Sequence, residues 1–374
     1  MVKDGMLKFL FPKGTSTTSS LPGVAFFLIL IFSLSSALSF SQDSLSVHKT
    51  RKIKVLPLPA FGYSPETKTF IGVVTLFAFN FYNDSTTRTS NAKFEVNYTW
   101  NKQFILECEW NYFLKQEKWF TKGQVHYSQY PDLYYGIGSN TPESNKLIFN
   151  SNRFILGVFV LKKIGTGLFT GLNVRYIEYT KLAADSGITY PELAGESTCG
   201  IGVSLIKDTR NNLLTPLKGV YVFFNASYNS ARSSYGKISL DLRYYKTWKS
   251  KYTLAFRFIN DFTVGTPPFY DYAYLGGDKF VRGYYYGRYR DNCLTSLQAE
   301  FRLPVVWRFG LAAFGGLSDI YHDPGRITFE SYKYNIGLGL RFLIDRKEKT
   351  NLRFDYAIGQ GENNGFYVSF GESF

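Results

Sequence analysis

The sequence predicts an all-β fold, a transmembrane antiparallel β-barrel of about 16 strands, with about 14 or about 12 as the alternative counts. Runs of about ten residues alternate apolar with polar or small side chains, and turn residues separate them. Beyond an N-terminal apolar segment, no stretch has the roughly 18 apolar residues that a spanning helix needs. The segment Leu275 to Arg290 is too polar for a core and too aromatic for a linker. We therefore expect it to be a long extracellular loop that folds into the barrel lumen.

The first predicted element is an export signal over residues 1–41. Lysines precede an apolar run, Val24 to Phe32, and Ser39-Phe40-Ser41 provides a small-x-small cleavage site. The alternative is a transmembrane helix anchor, but the apolar segment gives way to serine-rich sequence before it is long enough to span a bilayer. Residues 42–63 are predicted to be a short periplasmic tether, and residues 64–374 a barrel in the bacterial outer membrane.

The net charge and the cysteine content limit which binding partners and which disulfide chemistry are expected. A net charge of +14 draws a protein towards anionic surfaces, so outer-membrane lipid and lipopolysaccharide are the predicted partners of the exterior. Nucleic acid is the rival interpretation, but an exported chain with its cations spread over many strands does not favour it. The three cysteines are scattered, which argues against a disulfide framework. Each follows the alternation of its apolar neighbours, and we expect all three to face outward.

The strand pattern is clear in the run from Phe104 to Tyr112. Leu106 and Trp110 share one face, whereas Glu107 and Glu109 share the other. Later runs repeat the alternation, with both signs of charge on the polar face; they are Ile238 to Tyr244, Leu297 to Leu303, Ile336 to Phe342 and Leu352 to Ile358. A soluble β-sandwich would also alternate, but Tyr and Trp near the strand ends fit the aromatic girdles of a membrane barrel.

The strand count has one open position. About fifteen strands can be placed between Thr69 and Phe374, and a barrel with both ends in the periplasm needs an even number. Either Ile53 to Ala60 or Tyr134 to Gly138 could supply the sixteenth. Counting back from the C-terminus places the long connections outside the cell and the tight ones in the periplasm. The long ones are 180–197, 264–292 and 318–333, and the tight ones are 248–252, 303–307 and 345–351.

Several motifs, in order along the chain, are similar to those of one family. They are Lys207-Asp208-Thr209-Arg210-Asn211-Asn212, Leu275-Gly276-Gly277, Val281-Arg282-Gly283-Tyr284, Gly337-x-Gly339-x-Arg341, Leu352-Arg353-Phe354-Asp355-Tyr356 and the terminal Phe374. Together they resemble the bacterial surface antigen barrels, the superfamily of outer-membrane assembly factors and two-partner secretion transporters. The resemblance covers roughly Thr198 to the end, and more loosely the whole barrel.

The resemblance implies a role for Arg282 in the lumen. An unpaired guanidinium would be costly there, and the family pairs this arginine with acids on the following strands. Glu300 occupies the first acidic position, but the second, an Asp in an F-x-D-x-G run, is replaced here by Gly316. Either Asp319 substitutes from a shifted register or Glu300 pairs with Arg282 alone. Both a latch and a plain ion pair without gating remain open for Arg282.

The resemblance also singles out charges on the wall and the last strand. Arg341, Arg353 and Asp355 are the predicted lumenal charges. The C-terminal run resembles the strand by which outer-membrane proteins are recognised for their own insertion; its residues are Phe366, Val368, Phe370 and Phe374. The same run can also serve simply as the closing strand of the barrel.

Catalysis finds little support in the sequence. The three histidines lack metal-ligand spacing, and no serine lies in a G-x-S-x-G elbow. We therefore expect no enzyme activity and no cofactor or metal, and a lipid-modifying barrel enzyme is the least favoured class. The resemblance implies a barrel that aids insertion or secretion of proteins through a weak seam between its first and last strands.

A gated or plugged diffusion channel is the alternative function. Family members that insert or secrete proteins carry soluble periplasmic repeats that deliver the client, whereas a short tether is predicted here. The resemblance therefore implies a barrel-only member without periplasmic repeat domains. Unfolded client proteins and a separate periplasmic or lipoprotein partner are its expected partners.

Overall fold

The computed structural model describes residues 53–64, 68–82, 86–100, 103–184, 192–249, 251–323, 325, 332–345 and 349–374. The predicted export signal and residues 42–52 of the predicted tether lie outside these ranges. Within them, no helix has both the length and the apolar character needed to cross a membrane.

Sixteen strands form one antiparallel sheet in which each strand is hydrogen-bonded to the next in sequence order. The chain order is β1 (Ile53–Ser64), β2 (Lys68–Phe79), β3 (Ser90–Thr99), β4 (Phe104–Phe113), β5 (Trp119–Tyr134), β6 (Leu147–Gly165), β7 (Leu168–Ala184), β8 (Glu196–Asp208), β9 (Gly219–Ser230), β10 (Ser234–Trp248), β11 (Tyr252–Val264), β12 (Ala273–Leu275), β13 (Tyr289–Asp291), β14 (Cys293–Val306), β15 (Phe309–Tyr321), β16 (Lys333–Asp345), β17 (Thr350–Gly359) and β18 (Asn364–Phe370). The two short strands β12 and β13 pair only with each other, inside the connection between β11 and β14. Single 3-10 turns lie at Lys115–Glu117 and Glu143–Asn145.

The alternation along the strands sorts side chains between the two faces of the sheet. Leu338 is 70% exposed and Leu297 is 56% exposed, whereas Glu300 and Asp355 are completely buried. A soluble sandwich would bury its apolar face and expose its charges. The sheet does the opposite, with apolar side chains outside and charged ones inside, as a membrane barrel requires.

The first and last strands lie side by side, so the sheet curls into a barrel. Every other pair of neighbours in the sheet is joined by a ladder, as between β17 and β18. Among the described residues, no ladder joins β1 to β18. We call this line the seam. The end of the barrel where β1 begins and β18 ends is called the terminal end here, and the opposite end the loop end.

The predicted count of sixteen strands is confirmed. The sixteenth strand is Ile53–Ser64, so the barrel begins within the residues predicted as tether, and the tether boundary at residue 63 was placed too late. Pro57 and Pro59 made this segment look like a linker, but proline is tolerated on an edge strand. The stretch near Tyr134 belongs to the end of β5 rather than to a separate strand.

The cysteines do not all face outward. Cys199 is exposed and Cys108 is half-buried, but Cys293 is buried. Cys293 is the first residue of β14, where its thiol lies against the carbonyl oxygen of His322. The alternation along the sequence placed Cys293 correctly within a strand. It could not show that another part of the chain covers this strand end.

Candidate functional site

The segment between β11 and β14, residues 265–292, lies inside the barrel; we call it the lumenal loop. Val281 and Tyr284 are completely buried and Arg282 is 1% exposed. Val281 and Tyr284 join an apolar cluster with wall residues of β11, β14 and β15. Gly283 has a φ of +101°, a left-handed conformation that favours glycine. The predicted lumenal position of the loop is therefore confirmed, and Val281-Arg282-Gly283-Tyr284 forms its most deeply buried turn.

Arg282 is held by two carboxylates and a ring. Its guanidinium donates to Glu300 on β14 at 2.5 Å and to Asp355 on β17. The guanidinium carbon also lies 3.4 Å from the centre of the Phe314 ring of β15. Both carboxylates are completely buried, where an isolated charge would be very costly. The pairing thus fixes the loop to three strands of the wall.

Further arginines extend this pair into a closed charge network. Arg302 donates to Glu300 at 2.6 Å, and Arg341 donates to Asp355 at 2.5 Å. Arg353 donates to Asp355 at 2.8 Å, and it also bonds Asp278 of the loop itself. Charges of both signs alternate through the network, so the lumenal charges predicted on the wall neutralise one another rather than face an open passage.

The second acid at Arg282 is Asp355, and the prediction that Asp319 could fill this role is wrong. Phe314, which stacks on Arg282, lies opposite Glu300, whereas Asp319 lies opposite Thr295. Five residues along a strand correspond to about 16 Å, so Asp319 sits nearer the loop end. The predicted pairing of Arg282 with Glu300 is present.

Tyr284 fills a slot that glycine leaves in the wall. Its hydroxyl donates to the Tyr334 carbonyl at 2.6 Å and accepts the Gln360 amide at 2.7 Å. A Cβ at Gly359 would lie 2.5 Å from the end of the tyrosine ring, so only glycine fits beneath it. The Gly283 amide donates to the Tyr367 hydroxyl of β18 at 3.0 Å. The loop therefore contacts the last strand of the barrel directly.

A second anchor lies near the loop end. Asp271 of the lumenal loop accepts hydrogen bonds from Lys237 of β10 at 2.8 Å and from Arg175 of β7 at 3.0 Å. Tyr235 of β10 also donates to it. Burial opposes ionisation of this carboxyl, but Lys237 and Arg175 outweigh the burial and hold the pKa of Asp271 below its usual range. Asp271 ties the loop to a part of the wall far along the chain from β17.

A third anchor joins the loop to β5 and to the connection that follows it. The Tyr285 hydroxyl donates to Asp132 at 2.5 Å. Arg288 donates to Thr141 at 3.0 Å, with its guanidinium carbon 4.1 Å from the Tyr135 ring centre. The loop therefore bridges the lumen from β5 to β17. Sequence reasoning missed Asp132, Asp271 and Asp278; the only available signal was that each is an acid near an aromatic segment.

The lumenal loop also reaches β4 through Lys279. Its ammonium group donates to Glu109 at 2.8 Å, and its side chain is 55% exposed. Among the described residues, this is the most exposed ion pair between the loop and a wall strand.

The last four residues form a short C-terminal tail, Gly371 to Phe374, that turns into the lumen. Glu372 accepts from Arg341 at 2.8 Å, and Ser373 donates to the Asp278 carbonyl at 2.9 Å. The Phe374 carbonyl accepts from Arg302 at 2.7 Å. The tail thus links the end of β18 both to the charge network and to the lumenal loop.

The residues of the predicted insertion signal divide between two locations. Phe366 is exposed, and Val368 and Phe370 are half-buried in the same alternation. Phe374 is 3% exposed and packs in a cluster with Tyr245. A recognition role for this run remains a prediction.

The described residues offer no evident metal site, since no group of three or more His, Cys, Asp or Glu side chains there is placed to hold an ion. The acids in the lumen are instead paired with arginine and lysine, as Glu300 and Asp355 are. The arrangement can brace and plug a barrel.

Comparisons with known proteins agree with this geometry. The structure is similar to that of BamA from Haemophilus ducreyi lacking POTRA domains 1–3, with a TM-score of 0.56 and 11% sequence identity, over 86% of this chain and 70% of that chain. It is also similar to CdiB from Acinetobacter baumannii, with a TM-score of 0.54 and 14% identity, over 85% of this chain and 65% of that chain. At such identities the likeness shows the fold alone. A comparison with curated protein sequences finds no match.

The family profile of the Omp85 superfamily domain matches residues 74–374. This range runs from β2 to the C-terminus and includes the lumenal loop, its wall partners and the tail. The chain therefore belongs to the Omp85 superfamily.

Proposed function

We propose that this protein is an outer-membrane barrel that aids the insertion or secretion of other proteins, with the seam as its working edge and the lumenal loop as its brace. The observation that carries the proposal is the contrast between the two. The loop is hydrogen-bonded to wall strands from β4 to β18, whereas β1 and β18 lie side by side without a ladder among the described residues. An unpaired strand edge is a template for another strand.

The strands beside the seam support this assignment. β18 has 7 residues and β17 has 10, whereas β6 has 19. A short last strand makes few ladder bonds, so the wall is weakest where it meets β1. The hydrogen bonds of Tyr284 with the Gln360 amide, just after β17, and of Gly283 with Tyr367 of β18 would hold this side in place while no ladder closes the seam.

A diffusion channel is less well supported. The lumenal loop crosses the interior, and the charges of Arg282, Glu300 and Asp355 are paired with one another. A pore that selects ions by side-chain charge needs charges that face the permeating ion. The exposed Lys279 beside Glu109 is the observation that favours some water in the lumen.

The outward face suits a lipid bilayer, and the positive net charge suits contact with lipopolysaccharide. We take the protein to be non-catalytic. A separate periplasmic or lipoprotein partner would bring clients to the seam, and a crosslinked envelope preparation that yields no such partner would weaken this part of the proposal.

The test is insertion into liposomes, with the urea-unfolded chain itself as the client and its heat-modifiable gel mobility as the readout. The native cysteines are replaced by alanine, and a cysteine in β1 is joined to one in β18 across the seam. A matched control joins Tyr356→Cys to Phe366→Cys, which lie opposite each other within the wall. We expect the barrel to accelerate insertion, the seam crosslink to abolish the gain, and the control crosslink to keep it. Acceleration that survives the seam crosslink would rule out the seam as the working edge, and no acceleration in any sample would rule out insertion.

A further inference from the structure

Exposed lysines are concentrated at the terminal end of the barrel. Eight of them lie in the tight connections and strand ends there, and we call them the lysine rim: Lys115, Lys118, Lys162, Lys218, Lys246, Lys249, Lys251 and Lys349. Among the described residues, none of the eight forms an ion pair. Their positive charges therefore act on whatever lies outside the barrel.

The acids at the same end do not offset this charge. Those whose side chains the structure describes there are Glu117, Asp208 and Glu372, which are 7%, 7% and 1% exposed. Each pairs with an arginine, as Glu117 does with Arg88 at 2.7 Å. The negative charges are thus buried and neutralised, whereas the lysines face outward.

The loop end differs, because its exposed side chains carry both signs. Those among the described residues are Lys146, Lys181, Arg232, Glu143, Asp323 and Glu362. Lys146 also pairs with Glu143 at 3.5 Å. The exposed cations in excess over acids therefore lie at the terminal end of the described chain.

Exposed tryptophans mark the depth of the rim in a membrane. Trp119 is 44% exposed, Trp248 is 39% exposed and Trp307 is 70% exposed, and all three lie at the terminal end. Tryptophan concentrates at the level of lipid headgroups. Trp119 lies directly opposite Lys162 in the β5–β6 ladder, and Lys246 lies two residues before Trp248 on the same face of β10. These lysines therefore lie at the depth of the lipid phosphates.

Two lysines of the rim face the membrane rather than the space beneath the barrel. Lys162 shares its face of β6 with Val160 and Ile164, which are 50% and 56% exposed. Lys246 shares its face of β10 with Tyr244, which is 46% exposed. A lysine at such a position lays its methylene groups along apolar surface and extends its ammonium group to the headgroups. A protein docked beneath the barrel would meet the connections but not these two positions, so the surface fits lipid better than an acidic protein.

We propose that the lysine rim binds the phosphate groups of anionic phospholipids in the leaflet at the terminal end, with Lys162 and Lys246 as its membrane-facing contacts. A single lysine near an anionic membrane surface strengthens such binding by about fivefold. The proposal deepens the lipid contact within the proposed function and rests on the barrel lying in a membrane. It does not depend on the seam or on a client protein.

The first test uses single-tryptophan variants of the full chain in lipid vesicles. One variant keeps Trp119 and another keeps Trp248, with the other four tryptophans replaced by phenylalanine. Quenching by phosphatidylglycerol with brominated acyl chains is compared with quenching by brominated phosphatidylcholine. We expect phosphatidylglycerol to be favoured by about fivefold at both tryptophans, and about 0.5 M NaCl to remove most of the preference.

Local substitutions show whether the lysines cause the preference. Lys162→Gln should lower it at least about twofold at Trp119 and leave it unchanged at Trp248, and Lys246→Gln should do the reverse. The matched control, Lys181→Gln, makes the same change at the loop end and should alter neither. Equal quenching by the two lipids with both lysines intact, or an effect of Lys162→Gln no larger than that of the control, would overturn the proposal.

The second test separates a lipid from an acidic protein by acetylation of lysines, followed by mass spectrometry. Phosphatidylglycerol vesicles should protect Lys162 and Lys246 relative to phosphatidylcholine vesicles, and soluble polyglutamate added to phosphatidylcholine vesicles should not. Protection by polyglutamate but not by phosphatidylglycerol would assign the rim to an acidic protein and overturn the proposal. A lipid preference that holds while liposome insertion fails would refute the proposed function and leave the lipid-binding rim standing.

Discussion

Asp355→Asn should destabilise the barrel more than removal of Arg282 itself. Asp355 is completely buried and accepts from Arg282, from Arg341 at 2.5 Å and from Arg353 at 2.8 Å. Removing one partner of a buried ion pair costs about 3–5 kcal/mol. Since each of these arginines keeps another acid, Asp278, Glu300 or Glu372, we expect the loss to stay within that range despite the three contacts.

After Arg282→Met, both carboxylates that Arg282 contacted keep other arginine partners. Glu300 keeps Arg302, and Asp355 keeps Arg341 and Arg353. The methionine fills part of the volume, and we expect a loss of about 1–3 kcal/mol.

The assay is urea unfolding in detergent micelles, followed by tryptophan fluorescence. Glu362→Gln makes a comparable carboxylate-to-amide change at an exposed position and should alter the free energy of unfolding by less than about 0.5 kcal/mol. An Asp355→Asn variant within about 1 kcal/mol of the wild type, or more stable than Arg282→Met, would refute the network as the main fastening of the loop.

Three further changes probe other contacts of the loop and tail. Gly359→Ala should force the Tyr284 ring from its slot and cost about 1–3 kcal/mol, whereas Gly236→Ala, which has open space around it, should cost less than about 1 kcal/mol in the same unfolding assay; equal losses would contradict the slot. The folded-state pKa of Asp271 is depressed, so the stability that its carboxylate contributes is fully present above the unfolded-state pKa of about 3.9. That stability is lost as the pH falls through the folded-state pKa. The protection factors of the amides of residues 265–272, which correct for the intrinsic pH dependence of exchange, should therefore fall below about pH 4 in the wild type. Asp271→Asn should show low protection factors with little of this pH dependence; wild-type protection factors that do not change with pH would contradict the anchor. Phe374→Ala should cost about 3–5 kcal/mol in urea unfolding, since it empties a buried site; an unchanged midpoint would show that the tail does not fasten the lumen.

Local periodicity was enough to predict the wall of the barrel. A period of two is set by each strand alone, so outward positions such as Leu338 and inward ones such as Arg353 could be assigned without knowing their neighbours. The first strand was predicted as a tether because proline looks like a linker unless the strand is known to be an edge. That knowledge comes only from the assembled sheet.

The partners of the loop depended on register between strands, which local sequence does not set. Glu300 was predicted from the family motif, but Asp355 could be chosen over Asp319 only after the β14–β15 ladder placed Phe314, not Asp319, at the level of Arg282. The Asp271 anchor joins residues from β7 and β10. No pattern within a single strand could bring them together.

Single-channel conductance in planar bilayers, with Arg282→Ala beside the wild type, tests most directly whether the lumenal loop is a brace that closes the barrel. We expect a nearly silent wild type, because the loop crosses the lumen and its charges are paired, and large, noisy steps in the variant, where the ion pairs of Arg282 are lost. Steady currents of similar amplitude and selectivity in both proteins would contradict a closing role for the loop and would make the protein a diffusion channel.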